Sequence, residues 1–232
     1  MLYVVATPIG NLDDLSVRAV SVLHAVDLII AEDTRVTRVL LDRYNIRKDI
    51  LSYHQHSKLQ KIEHIIELLS EGKKVALVSD AGTPGINDPG GFLVQKIIES
   101  LPHLRIVPVP GPNAAVAALS ISGFPADRYV YLGFPPHKKG RQTFFREIGN
   151  RPETLVFYES KHRILKALEA LKTVSRIGNR PIMVARELTK QFETVYRGGV
   201  DEVTRQLHDK NLLGEFVIVV APLSNQVHNV EE

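Results

Sequence analysis

The stretch that decides the fold is VALVSDAGTPGINDPGG, residues 75–91. It opens as an apolar run, the mark of a strand buried on both faces, and then spends a dozen positions on Gly, Pro, Asp, Asn and Thr before another helix can begin. A buried strand, a loop and a helix in that order form the repeating unit of a parallel sheet. Glycine lets main-chain amides and carbonyls approach a ligand closely, and proline stiffens the loop so that less entropy is lost on binding. Loops this long inside a compact domain usually carry function.

The alternation continues on both sides. LYVVA (2–6) reads as a first strand, residues 16–26 have helical apolar spacing, and DLIIA (27–31) is strand again. A helix is expected from Thr34 to about Tyr44. A clearer one spans 58–71, where Leu59, Ile62, Ile65, Ile66 and Leu69 share a face, Ser57 caps the start and Gly72 stops the end. RIVPVP is a further buried strand beyond the amphipathic GFLVQKIIES. After VPVPGPNAAVAALSISGFP the texture changes. An Ala-rich helix over about 113–120 leads to YVYLG, TLVFYES, the helix HRILKALEAL, PIMVARELT, FETVYRG, a helix over about 201–208, and GEFVIVVA. Crossovers between those strands are few, so a mixed sheet with antiparallel members is expected. The reading is an α/β protein of two domains, a parallel-sheet domain over 1–113 and a mixed α+β domain over 114–232, joined within 112–124.

Composition excludes several classes. With 44% hydrophobic residues in 232, the chain can bury a full core. The absence of cysteine rules out disulfides and thiolate chemistry. His54 and His56 in SYHQHS stand two apart, but a structural metal needs three or four ligands, so a solvated or substrate-facing role is expected and no metal. There is no apolar run of membrane-spanning length, and a strand begins directly after Met1, so a cytosolic protein without a signal peptide is expected. A net charge of +3 permits an anionic partner without requiring one. HKKGR (137–141) is a basic cluster on what reads as a loop, and YESKHRILK carries a second. A solvated charged turn accounts for either as readily as a phosphate contact does.

Open parallel sheets bind ligands beyond the carboxyl ends of their strands, and ATPIGN, SDAGTPGINDPG and PVPGPNAA all fall there. Tight turns alone would explain one such loop; three at one sheet edge should line a crevice. The residues argue against a nucleotide-phosphate cradle. No GK[ST] follows any of these glycines, and the first loop has Gly10 alone where a dinucleotide fingerprint needs three. Only Glu32 or Asp33, at the end of the second strand, keeps a dinucleotide enzyme in consideration.

LYVVATPIGNLDDLSVRA, AEDTR, VALVSDAGTPGINDPG, VPVPGPNAAVAALSISGFP, FYESKHRI and ARELTK, in this order and spacing, resemble the tetrapyrrole methylase-like (class III) S-adenosylmethionine-dependent methyltransferases, and within them the rRNA-modifying branch. The resemblance runs from Leu2 to about Ala221. It implies two α/β domains with S-adenosylmethionine in the cleft between them, a homodimer, no metal, and 2′-O-methylation of a cytidine in the decoding region of 16S rRNA, naked or in the small ribosomal subunit. By position, it implies donor contacts at Pro8, Ile9 and Gly10, at Asp80, Gly82 and Thr83, at Asn113 and Ala114, and at Tyr158, Ala185 and Glu215. Members usually continue past the last strand into a small helical segment, whereas this sequence stops at Glu232, a departure that bears on RNA affinity. A methyltransferase of the same fold acting on a tetrapyrrole or a protein side chain, and a non-catalytic RNA-binding module, are the alternatives.

A ribose hydroxyl is a weak nucleophile, so some group should accept or orient its proton. AEDTR and ARELTK each deliver a carboxylate and a basic group at a strand end. Glu187, Asp33 and Lys190 are therefore the catalytic candidates, with Glu187 preferred. Arg35, Lys138, Lys139, Arg141 and Arg186 are the candidates for RNA phosphates. For each carboxylate a salt-bridged strand end is an equally good explanation, and Glu159 and Arg163 read as a pair across one helical turn.

Overall fold

Residues 29–31 set the pattern of the first half: Ile29 and Ala31 pack into one core cluster and Ile30 into another, so the strand is buried on both faces. The computed structural model describes residues 1–55, 57, 59–174, 177, 180–208 and 212–223. The chain divides into two compact units, Met1–Asn113 and Ala114–Glu232. Among the described residues no helix is long and apolar enough to cross a membrane.

The first unit runs β1 (Leu2–Val5), α1 (Val17–Ala25), β2 (Leu28–Ala31), α2 (Thr34–Arg43), β3 (Ile50–Ser52), α3 (Leu59–Ser70), β4 (Val75–Leu77), α4 (Gly90–Ser100) and β5 (Ile106–Val109). The five strands form one parallel sheet in the order β3-β2-β4-β1-β5. Leu23, Leu40 and Leu41 of α1 and α2 pack with Ile29 and Ala76 on one face, while Ile65, Leu69, Leu93 and Ile97 of α3 and α4 pack with Ile30, Val75 and Leu77 on the other. The helix ends follow local chemistry. Ser16 caps α1 by accepting from the Ala19 N–H (3.1 Å), and Gly72 stops α3 at φ +88°. The Ser57 hydroxyl, read as the cap of α3, accepts the His54 N–H at 2.9 Å; Lys58 and His56 lie outside the described residues. The edge strand β3 is not apparent in the sequence, because three residues are too few to show alternation.

The second unit runs α5 (Ala114–Ser122), β6 (Tyr129–Tyr131), α6 (Arg141–Ile148), β7 (Thr154–Ser160), α7 (Ile164–Thr173), β8 (Ile182–Arg186), β9 (Thr194–Gly198), α8 (Val200–Gln206) and β10 (Glu215–Val220). Its sheet has the order β6-β7-β10-β8-β9, with β6 and β7 parallel and every other pair antiparallel. Phe157, Phe216 and Val184 point from the sheet into the core formed with α6, α7 and α8. The opposite face carries α5, which packs on β7 and β10. Helix α6 corrects the loop reading of HKKGR: Arg141 is its first residue and Phe145 and Ile148 its buried face.

Three charges meet where β7 ends. Glu159, whose side chain is fully buried, pairs with Arg141 (3.0 Å) and Arg163 (2.9 Å), both nearly buried. The pair Glu159–Arg163 therefore crosses from a strand end to a helix start rather than one turn of a helix. Removing the carboxylate leaves two poorly solvated guanidinium groups unbalanced, so Glu159→Gln is expected to cost about 3–5 kcal/mol of stability. Breaking the exposed Lys96–Glu99 pair with Lys96→Ala should cost less than about 1 kcal/mol. Urea unfolding of the two variants beside the wild type measures the difference.

Candidate active site

The loops after β1, β4 and β5 leave three neighbouring strands of one sheet, and main-chain bonds join them. Thr7 N–H donates to the Gly82 carbonyl (2.9 Å) and Gly82 N–H donates back to Thr7 (3.1 Å), an antiparallel bridge beyond the end of a parallel sheet. The buried Thr7 hydroxyl donates to the Ser79 carbonyl at 3.0 Å, and the Ser79 hydroxyl donates to the Gly82 carbonyl at 2.9 Å. Thr83 Oγ1 donates to the Pro112 carbonyl (3.1 Å), tying in the third loop. Gly82 sits at φ +87°, and a Cβ there would lie 3.3 Å from Ile9 Cγ2 and 3.5 Å from the Pro112 oxygen. A Cβ on Gly111 would lie 3.0 Å from Ala6 Cβ. These two glycines permit the close approach of the three loops. Pro8, Ile9, Gly10, Asp80, Gly82, Thr83 and Asn113 all belong to this assembly. Thr7 and Ser79, buried hydroxyls that hold it together, escape the sequence reading because small polar residues in a loop carry no periodic signal.

Carboxylates rim the same sheet edge. Glu32 follows β2, and Asp80 follows β4 and accepts the Asp33 N–H at 3.0 Å. Burial raises the pKa of both groups, and neighbouring carboxylates, Asp33 and Asp88 among them, reinforce the rise. Asp88 acts on the backbone instead, accepting from the N–H groups of Gly85 and Gly90 (2.8 and 2.7 Å) and so fixing the loop before α4.

Asp33 serves the backbone and a neighbouring arginine. It is the N-cap of α2, accepting from Arg35 N (2.8 Å), and its carboxylate is gripped by the Arg35 guanidinium at 2.6 Å. These bonds lower its pKa to about 2 and commit the carboxylate to the helix cap and to Arg35. Arg35 remains largely exposed beyond that pair.

In the second unit the register places Tyr158 and Ala185 on either side of Val217, one row across three strands, with Glu215 two residues before Val217 on β10. The Tyr158 hydroxyl accepts the Ala115 N–H at 3.1 Å and so holds the start of α5, which begins at Ala114. Glu187 and Thr189 both lie at positive φ, +53° and +64°, in the turn after β8. Such backbone strain in residues other than glycine concentrates at functional sites. Burial opposes charge on the Glu187 carboxylate, but the Glu215 N–H (2.9 Å) and the Lys190 ammonium (3.1 Å) outweigh it and its pKa falls. Burial likewise works against charge on Lys190, yet its bonds to Glu215 (2.8 Å) and Glu187 raise its pKa. A Cβ on Gly214 would meet Glu187 Cγ at 2.5 Å, so glycine is what leaves room for that carboxylate.

Two of the expected phosphate ligands are occupied elsewhere. Arg186 is buried and donates to the carbonyls of Leu213 (2.6 Å) and Phe192 (3.0 Å), and Arg141 serves Glu159 and the Pro136 carbonyl. No local pattern announces these contacts, because they form only once the loops around 135 and 213 have folded against the strand ends. Lys138 and Lys139 are exposed.

Residues 1–204 match the tetrapyrrole (corrin/porphyrin) methylases, and the chain belongs to that family. It is similar to ribosomal RNA small subunit methyltransferase I of Escherichia coli O157:H7, with 48% identity over 94% of this chain and 77% of that protein. The protein of the same name from Thermotoga maritima is 41% identical, covering 95% and 97% of the two chains. Among solved structures, diphthine synthase superposes with a TM-score of 0.71 at 12% identity over 95% of this chain and 89% of that one. The methyltransferase CobJ gives 0.65 at 20%, over 95% and 93%. These two share the fold.

The raised pKa values predict a pH dependence. Glu32 and Asp80 hold their protons more tightly folded than unfolded, so their contribution to stability is greatest in acid and is lost as pH rises from the ordinary carboxylate range through their raised values. Glu32→Gln should therefore raise the melting temperature at pH 7 and leave it nearly unchanged at pH 4. Thermal melts of both proteins across that range provide the check.

Proposed function

We propose that the chain transfers a methyl group from S-adenosylmethionine to the 2′-hydroxyl of a cytidine ribose in the decoding region of 16S rRNA. The coarser part, rRNA methylation dependent on S-adenosylmethionine, is supported by family membership and by relatives 41–48% identical that bear the name of an rRNA methyltransferase. The observation that carries the reading is the joined cradle of three loops around Thr7, Gly82 and Pro112.

The cradle suits this donor. Its lining at Ile9, Gly82 and Thr83 is neutral and rich in main-chain groups, while Glu32 and Asp80 are carboxylates with no basic side chain bonded to them among the described residues, fitted to hydroxyl or ammonium donors. Pro8, Ile9, Gly10, Asp80, Gly82, Thr83 and Asn113 are proposed to hold it, with Ala114, Tyr158, Ala185 and Glu215 as further contacts. When bound, the donor supplies a methyl carbon on a sulfonium, open to in-line displacement. The protein's part is chiefly positioning, since a nucleophile held about 3–3.5 Å from its target gains most of the available acceleration. A neutral lining also avoids stabilising the cationic ground state more than the transition state. Glu187, kept ionised beside Lys190, is the proposed acceptor of the ribose proton, and Lys190 the group that places the adjoining phosphate. Lys138, Lys139 and Arg35 are the proposed contacts to the RNA backbone.

A mass map of methylated nucleotides in 16S rRNA from a strain lacking the gene tests the reaction. The proposal expects one ribose methyl to disappear, and an unchanged map would direct attention to another substrate. On the purified protein, Gly82→Ala should weaken S-adenosylmethionine binding by about tenfold or more in calorimetric titration, because a residue with a Cβ at φ +87° costs about 1–2 kcal/mol and presses on Ile9. Glu187→Gln should lower the single-turnover rate by about 10²–10⁴ with donor affinity retained. The double replacement Lys138→Ala with Lys139→Ala should raise the RNA dissociation constant and reduce its salt slope by about 0.7–0.9 per lost phosphate contact. Fluorescence anisotropy over a salt series reads both effects.

A further inference from the structure

Phe134 is a large apolar side chain that is 51% exposed, yet the backbone on either side of it is held by hydrogen bonds. It sits in the loop between β6 and α6. Leu132 N–H donates to the Val156 carbonyl (3.0 Å), and Tyr158 N–H donates to the Gly133 carbonyl (2.8 Å), with Gly133 at φ +63° turning the chain. On the far side, Arg163 Nη1 donates to the Pro135 carbonyl (3.0 Å) and Arg141 Nη1 to the Pro136 carbonyl (3.3 Å). Both guanidinium groups are themselves fixed by the buried Glu159. The ring is backed edge to face by Tyr158, with centroids 5.4 Å apart, and Tyr158 is backed in the same way by Tyr131 at 5.4 Å.

We propose that Phe134 is a stacking platform for an unpaired nucleobase of the RNA substrate, an inference that rests on the RNA reading above. The motivating observation is a preorganised, solvent-facing ring followed within five residues by the exposed His137, Lys138 and Lys139. Neither lysine forms an ion pair among the described residues. An aromatic face beside free cations is the chemistry that binds single-stranded nucleic acid, with the ring taking a base and the cations the phosphates. An apolar partner would need a broader surface than this loop gives. Pro135 is buried, Pro136 half-buried, and Phe134 is the one exposed large hydrophobic residue between 132 and 140. The platform is a positioning device: it sets where the strand lies and takes no part in bond changes.

The chain contains no tryptophan, so Phe134→Trp introduces a single reporter. Phe92→Trp, at a ring 48% exposed on α4, is the control. Both are titrated with small-subunit rRNA, naked and in assembled subunits. Expected are quenching of the Phe134→Trp emission that saturates with RNA binding, little change in the control, and wild-type affinity for the Phe134→Trp protein. Phe134→Ala should bind RNA about 5- to 150-fold more weakly with an unchanged salt slope and unchanged S-adenosylmethionine affinity. Wild-type affinity in Phe134→Ala, or emission that ignores bound RNA, overturns the proposal while leaving the RNA reading intact. Quenching that depends on protein concentration without RNA overturns it in favour of a contact between copies of the chain. Failure of the folded wild type to bind either RNA removes the RNA reading and the platform together.

Discussion

Two hydrogen bonds between Thr7 and Gly82, 2.9 and 3.1 Å long, are the constraint on which the cradle depends. Parallel strands diverge into separate helices at their carboxyl ends, and nothing in the sheet itself obliges their loops to meet. Here the loops after β1 and β4 pair as a short antiparallel bridge, and the buried hydroxyls of Thr7 and Ser79 brace it by donating to the Ser79 and Gly82 carbonyls. The bridge places residue 82 at φ +87°, where a Cβ would press on Ile9 Cγ2 at 3.3 Å, and glycine meets both demands. With Gly82 in place, Thr83 reaches the Pro112 carbonyl and the third loop is drawn in.

Two carboxylates, one buried and one half-buried, do the corresponding work in the second unit. Glu159 gathers Arg141 and Arg163, and those arginines hold the carbonyls of Pro135 and Pro136. Glu187 accepts from Glu215 N–H and from Lys190, and these bonds hold a turn in which two residues other than glycine lie at positive φ. A strained conformation of this kind costs of order 1–3 kcal/mol per residue and persists only where its surroundings over-determine it. Charge is used for shape in both places. In the first unit Glu32 and Asp80 stand near other acids, with no basic side chain bonded to either among the described residues, which costs stability and leaves carboxylate oxygens available to a ligand.

The α/β architecture is legible because its signals are local. The apolar run at 75–78, the helical face of Ile62, Ile65 and Leu69, and the glycine at 72 each act over a few residues. The three loops can be placed at one sheet edge for the same reason. What the sequence does not disclose depends on contacts that only the folded chain creates. Arg141 reads as a loop cation until Glu159 is seen beside it, and Arg186 reads as a phosphate ligand until the carbonyls of Phe192 and Leu213 are seen to occupy it. Asp33 differs from these, because its capping role is local: an Asp directly before a helix is a capping signal, and it is present in AEDTR. Short elements escape as well: β3 has three residues, and α6 shows only Phe145 and Ile148 as a buried face.

If the bridged loops of the first unit hold the methyl donor, bound donor must quiet their backbone. Amide hydrogen exchange of the whole protein, with and without saturating S-adenosylmethionine, tests this most directly. Protection should rise at residues 6–10, 79–90 and 110–113, and the surface helices α3 and α7 should exchange as before. Unchanged exchange in those three loops at saturating donor, with protection gained elsewhere, would contradict it.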